Sequence, residues 1–183
     1  MEIALGISGA SGARYGIRLL ELLSGRGVKT HLIITEAAGK IIEIETDYDP
    51  GEIRGLASAV YRENDFTAPI ASGSHKYDAL VVAPCSMKTV AAIANGFSDN
   101  LIERAADVCL KEKRKVILLV RETPFSQIHL ENMLKLSRAG ADILPASPAF
   151  YNRPENIDDL INFMAGRVLD LLGIGHDIYR RWK

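Results

Sequence analysis

The sequence predicts an α/β fold, a three-layer α/β/α Rossmann-like (flavodoxin-like) domain on a parallel sheet. Three observations predict it. Short apolar runs alternate with helix-length amphipathic segments along the 183 residues. The strand candidates are apolar on both faces, as in a sheet covered by helices on each side. No internal repeat, low-complexity tract or linker interrupts the chain, so residues 1–183 are expected to form one domain with its own core.

The elements follow in order. Ile3–Ile7 is a strand candidate that runs into Gly6-Ile7-Ser8-Gly9-Ala10-Ser11-Gly12. A helix pattern over Tyr15–Leu23 has Leu19, Leu20 and Leu23 at helical spacing, and Gly25 and Gly27 end it. Val28–Thr35 reads as the second strand, followed by a short helix through Ile42. Thr46–Gly55 is polar and irregular, Ile53–Glu63 is a helix candidate, and Phe66–His75 reads as a loop. Ala79–Ala83 is a buried strand ended by Pro84. Helices are expected over Ser86–Asn95 and Leu101–Lys113, then a strand over Val116–Val120. Ser126–Arg138 reads as a helix ending at Gly140, and Asp142–Leu144 as a short strand before Pro145. A last helix spans Ile157–Leu172 and stops at Gly173.

Composition narrows the function. Hydrophobic residues at 48% and charged residues at 25% exclude a disordered, collagen-like or coiled-coil chain. A net charge of -1 argues against a non-specific nucleic-acid binder and leaves a local cationic pocket open. Cys85 and Cys109 have no metal-ligand spacing, and His31, His75, His129 and His176 form no HxxxH or HExxH pair, so no metal is expected. Two cysteines fit reduced thiols and a cytoplasmic setting. No apolar run approaches the roughly 20 residues of a membrane span. The start of the chain carries Glu2 and no basic stretch, so it reads as a strand and not as a signal peptide.

Doubly wound sheets bind ligands at the carboxyl ends of their strands, which singles out the segments after each strand. Gly6–Gly12 has the spacing GxxGxxG, with Ser8 and Ser11 as hydroxyl donors. It suits a nucleotide or flavin phosphate loop, or else a tight strand–helix turn. In Pro84-Cys85-Ser86-Met87-Lys88-Thr89, Ser86 can cap a helix and, with Thr89, hydrogen-bond a ligand; Cys85 reads as a small buried residue. Arg121 and Glu122 after the Val116–Val120 strand are a phosphate-oxygen partner and an acid or base, or an exposed ion pair. Arg104 and Lys111 stand two turns apart on one helix face, where an Asp107–Lys111 pair is the plain alternative. Tyr151, Arg153, Arg167 and Arg180-Arg181-Trp182 gather aromatic and basic groups, as helix packing or as a phosphate clamp.

Taken as a set, these segments resemble the flavin prenyltransferase family (UbiX-type). The resemblance lies in GISGASGARYG at 6–16, ETD at 45–47, APIASGSH at 68–75, APCSMKT at 83–89, NLIERAADVCLKE at 100–112 and RETPFSQIHLENMLKLSRAGADILPASPAFYNRP at 121–154. It covers essentially the whole chain. It implies a homododecamer that binds FMN at subunit interfaces. There the family joins a dimethylallyl group from dimethylallyl monophosphate to N5 and C6 of reduced FMN, without a metal. The product, prenylated FMN, serves UbiD-type decarboxylases. By the same resemblance Gly9, Ala10, Ser11, Thr35, Ser86, Met87, Lys88, Thr89 and Arg121 hold FMN, with Ser11 near its reaction centre. Glu45 and Glu122 match acidic positions linked to proton transfer, and Arg104, Lys111, Tyr151 and Arg167 match positions that grip the substrate phosphate. Phe66 stands where members often carry Trp, facing the allylic cation, and Trp182 matches an aromatic that closes the site. Two other readings accommodate the loops: an FMN-dependent aromatic acid decarboxylase and a flavin-binding electron carrier.

Overall fold

The computed structural model describes residues 1–182. Six strands form one all-parallel sheet in the order β3-β2-β1-β4-β5-β6. They are β1 (Glu2–Ile7), β2 (Lys29–Ile34), β3 (Ala59–Tyr61), β4 (Ala79–Cys85), β5 (Lys115–Val120) and β6 (Asp142–Pro145). The helices are α1 (Ala13–Ser24), α2 (Glu36–Glu45), α3 (Pro50–Gly55), α4 (Met87–Ala94), α5 (Leu101–Lys111), α6 (Gln127–Arg138) and α7 (Ile157–Leu172). The strand order reverses between β1 and β4, which opens a crevice at their carboxyl ends.

Side chains alternate across the sheet. Val116, Leu118 and Val120 of β5 join one core with α4, α5 and α6. Ile117 and Leu119 join the other with α1, α2, α3 and α7. Burial on both faces is why the long strands read as continuous apolar runs. No helix among the described residues is long and apolar enough to cross a membrane.

Three expectations are corrected. The helix expected over Ile53–Glu63 is instead α3, earlier in the chain, followed by the edge strand β3. Asp49 caps α3 and Pro50 occupies its first turn, within the stretch read as irregular. Pro84 does not end its strand: β4 runs to Cys85, which pairs with Val120 after a register shift. Proline lacks the N–H that the ladder needs there, so pairing lapses and resumes one residue later. The helix expected to stop at Ile42 continues to Glu45. A short 3-10 turn, Pro69–Ala71, lies in the 66–75 loop.

Candidate active site at the carboxyl edge of the sheet

The loops after β1 and β4 meet at the crevice. Buried Ser8 stitches them, its Oγ donating to Pro84 O at 2.9 Å and accepting from Ser86 N at 2.9 Å. Ser8 is thereby committed to the scaffold, although its hydroxyl had read as a ligand donor.

Gly9, Ala10 and Ser11 form the turn into α1. A Cβ on Gly9 would lie 2.6 Å from the Ala37 Cβ on α2, so the turn abuts that helix. Gly12 at the helix start has φ +95°, a left-handed conformation that suits glycine, and offers no capping side chain. The missing acceptor comes from Glu45, whose Oε2 accepts Gly12 N at 2.8 Å and Ala13 N at 3.1 Å. The first N–H groups of α1 are therefore met by a carboxylate of the chain itself. Partial burial raises the Glu45 pKa. Hydrogen bonds from Ser11, Gly12 and Ala13 and the charge of Arg121 outweigh it and hold the pKa below the usual carboxylate value. Arg121, just past β5, donates from Nε to Ser11 O at 3.0 Å. Ser11, Glu45 and Arg121 thus form one linked group from three separate motifs.

Thr35 is buried and caps α2, its hydroxyl accepting Ala38 N at 3.1 Å. Ser86 caps α4, accepting Thr89 N at 3.3 Å, and lies 3.1 Å from the Thr89 hydroxyl. Met87 and Thr89 are buried. Lys88 reaches to Glu103 Oε1 at 2.5 Å. Glu103 is 0% exposed, a residue that reading the sequence for chemistry passed over. Its carboxylate also accepts Asp99 N at 2.9 Å and Asn100 Nδ2 at 2.8 Å. The signal was present as a capping pattern, Asn100 followed by Glu103 three residues on.

Glu122 is exposed and accepts the N–H of Thr123 at 2.9 Å, while Arg121 turns away from it to Ser11, so the two do not pair. Both line a cleft of about 320 Å³ with Phe125, Pro145 and Ser147. Phe66 is half exposed on the loop after β3. Arg104 donates to Ala71 O at 3.0 Å and pairs with Asp107 at 2.7 Å, and Lys111 pairs with Glu112 at 2.8 Å. The expected alternative, an Asp107–Lys111 pair, is replaced by these two.

Tyr151 and Arg167 lie elsewhere. Arg167 belongs to α7, which packs in the core on the opposite side of the sheet from α5. The Tyr151 ring stands edge-on to Trp182, centroids 5.2 Å apart, beside Arg153, Arg180 and Arg181. Within one chain, Arg104 and Lys111 of α5 and Arg167 of α7 thus sit on helices that cover opposite faces of the sheet.

A Flavoprotein family model matches residues 1–169. Flavin prenyltransferase UbiX of Methanocaldococcus jannaschii is 56% identical over 182 residues, 100% of this chain and 98% of that protein. The solved structure of AnUbiX (PadA1) in complex with FMN and dimethylallyl pyrophosphate has a TM-score of 0.98 at 48% identity, covering 100% of this chain and 97% of the other. A dodecameric FMN-dependent UbiX-like decarboxylase from Escherichia coli O157:H7 has a TM-score of 0.98 at 47% identity, covering 100% of both chains.

Proposed function

The chain belongs to the flavin prenyltransferases of the flavoprotein family, and from that premise we propose its reaction: transfer of dimethylallyl from dimethylallyl monophosphate to N5 and C6 of reduced FMN. The observation that carries the reading is the 56% identity to a flavin prenyltransferase across the full chain. Residues 1–183 act as a single FMN-binding domain, in the cytoplasm, within a homo-oligomer that is dodecameric like the E. coli relative. The product, prenylated FMN, passes to a UbiD-type decarboxylase.

The donor set fits FMN. Glu45 fills the start of α1, but α4 begins with the first-turn N–H groups of Met87 and Lys88 and the hydroxyls of Ser86 and Thr89, a set suited to a phosphate. Gly9, Ala10, Ser11, Thr35 and Arg121 complete the cradle across the crevice. Reduced FMN, when bound, supplies the electron-rich ring atoms that receive the prenyl group.

The chain's own residues do the rest. Arg104 is pre-set by Ala71 O and Asp107, so with Lys111 it can meet the charge that grows on a departing phosphate. Tyr151 and Arg167 close on that phosphate from a neighbouring copy. The Phe66 ring faces the allylic cation, and Trp182 helps exclude the water that would capture it. Ser11 and the ionised Glu45 hold a proton position beside the flavin. Glu122, or the released phosphate, takes the proton lost from C6.

The test is anaerobic incubation of the protein with reduced FMN and dimethylallyl monophosphate or diphosphate, then mass spectrometry of the released flavin. A gain of one prenyl unit with the monophosphate is expected. Carbon dioxide released from an aromatic acid by this chain alone, with no flavin mass gain, would establish the decarboxylase reading. Reversible flavin redox with neither change would indicate an electron carrier. Glu122→Gln should slow turnover about 100-fold while FMN stays bound; an unchanged rate removes Glu122 from the proton step.

A further inference from the structure

The last turn of α7 contains a carboxylate, Asp170, where the helix dipole disfavours negative charge. Four donors compensate. Oδ1 accepts His176 Nε2 at 3.1 Å and Arg181 at 2.8 Å, and Oδ2 accepts the Tyr179 hydroxyl at 2.6 Å and Arg167 at 3.0 Å. Four donors saturate the lone pairs of a carboxylate. Three of them come from the tail beyond α7, and the fourth is the guanidinium read as a substrate-phosphate ligand. Partial burial raises the Asp170 pKa, but hydrogen bonds from Arg181 and Tyr179 and the nearby positive charge outweigh it, holding it at about 2.

The tail lies directly on the helix beside this group. A Cβ on Gly166 would stand 2.6 Å from the Tyr179 ring and 2.9 Å from His176, so the residue before Arg167 must be glycine for the tail to dock as it does. At its far end, the tail carries Trp182 against Tyr151. Arg167 and Tyr151 are therefore tied to one another through a tail whose anchor is Asp170.

We infer that Asp170 is a positioning residue for prenyl transfer: its carboxylate pins the 176–182 tail across α7 and fixes Arg167 and Tyr151 as a preformed half-clamp for the phosphate of the allylic substrate. The inference rests on the phosphate-binding reading of Arg167 and extends it to a residue that itself touches neither substrate nor flavin. An anchored guanidinium gives up less side-chain freedom when it meets a phosphate, so the benefit falls on substrate affinity.

Asp170→Asn is the test, made in the intact protein with two independent readouts. Steady-state prenylation and calorimetry with dimethylallyl monophosphate should show KM and Kd raised about tenfold, with kcat and FMN affinity within about twofold of wild type. Asp170→Glu should restore part of the loss. Trp182 is the single tryptophan of the chain, so its fluorescence anisotropy reports the tail directly and should fall in Asp170→Asn. Unchanged KM in a folded Asp170→Asn protein overturns the inference, as does an equal loss of FMN binding and kcat. Should that variant fail to fold, Tyr179→Phe removes one tail donor and should raise KM about threefold; no change again overturns it. A wild-type protein that binds dimethylallyl monophosphate but leaves the flavin mass unchanged defeats the prenyl-transfer reading alone, and calorimetry and anisotropy still decide the role of Asp170.

Discussion

Glu45 caps a helix that begins 32 residues before it, because Gly12 has the backbone conformation for the turn and no side chain for the cap. One carboxylate then serves both the fold and the proposed chemistry, and two substitutions separate them. Glu45→Ala deletes the acceptor of two N–H groups and should cost about 1 kcal/mol, read by urea unfolding. Glu45→Gln keeps an oxygen at that place and should recover most of the stability, yet turnover should stay depressed because an amide cannot carry the proton. Wild-type turnover in Glu45→Gln would leave Glu45 as a cap and nothing more. At this scale the sequence carried residue type but not partner. Glu45 was legible as an acid through its resemblance to a family position. Its hold on the start of α1 was not, since it depends on α2 continuing three residues past Ile42.

Among the elements, legibility followed burial. The central strands β1, β4 and β5 are buried on both faces and announce themselves as apolar runs. β3 is a three-residue edge strand with Val60 exposed, so neither alternation nor an apolar run marks it, and its place was read as helix. The candidate site was legible because three of its motifs follow β1, β4 and β5 at one edge of the sheet. The opposite edge holds a group of which only His75 falls in one of the motifs, the segment at 68–75. Glu2 at the start of β1 accepts His31 Nε2 of β2 at 2.6 Å and His75 Nε2, ahead of β4, at 2.7 Å. Lys29 lies 3.2 Å from its other oxygen. Partial burial works to raise the Glu2 pKa, but these hydrogen bonds outweigh it and hold it at about 2, against an ordinary 4.5. A folded-state pKa below the unfolded one gives stability that is present above pH 4.5 and lost as pH falls toward 2. Urea midpoints measured across that window should fall more steeply for wild type than for Glu2→Gln. Parallel slopes in the two proteins would show that the triad contributes nothing to acid stability.

Across the whole molecule, the two sets of residues proposed to hold the substrate phosphate sit on helices that cover opposite faces of the sheet. Arg104 and Lys111 ride on α5 over one core, and Arg167 rides on α7 over the other, with the sheet between them. If all of them hold one phosphate, they come from different copies of the chain, and the active site is a property of the assembly. This yields a prediction that does not depend on the stability of any variant. Arg104→Ala and Arg167→Ala should each lose most prenyl transfer when made alone. Co-expressed in equal amounts, they should recover about a quarter of wild-type activity, because a site needs an intact Arg104 from one random neighbour and an intact Arg167 from another. A site contained in one chain allows no such recovery, since every subunit in the mixture then lacks one of its two arginines. Activity that stays at the level of the separate variants, in an oligomer shown by mass to contain both, would therefore confine the site to a single chain and require the tail and α7 to reach around the sheet.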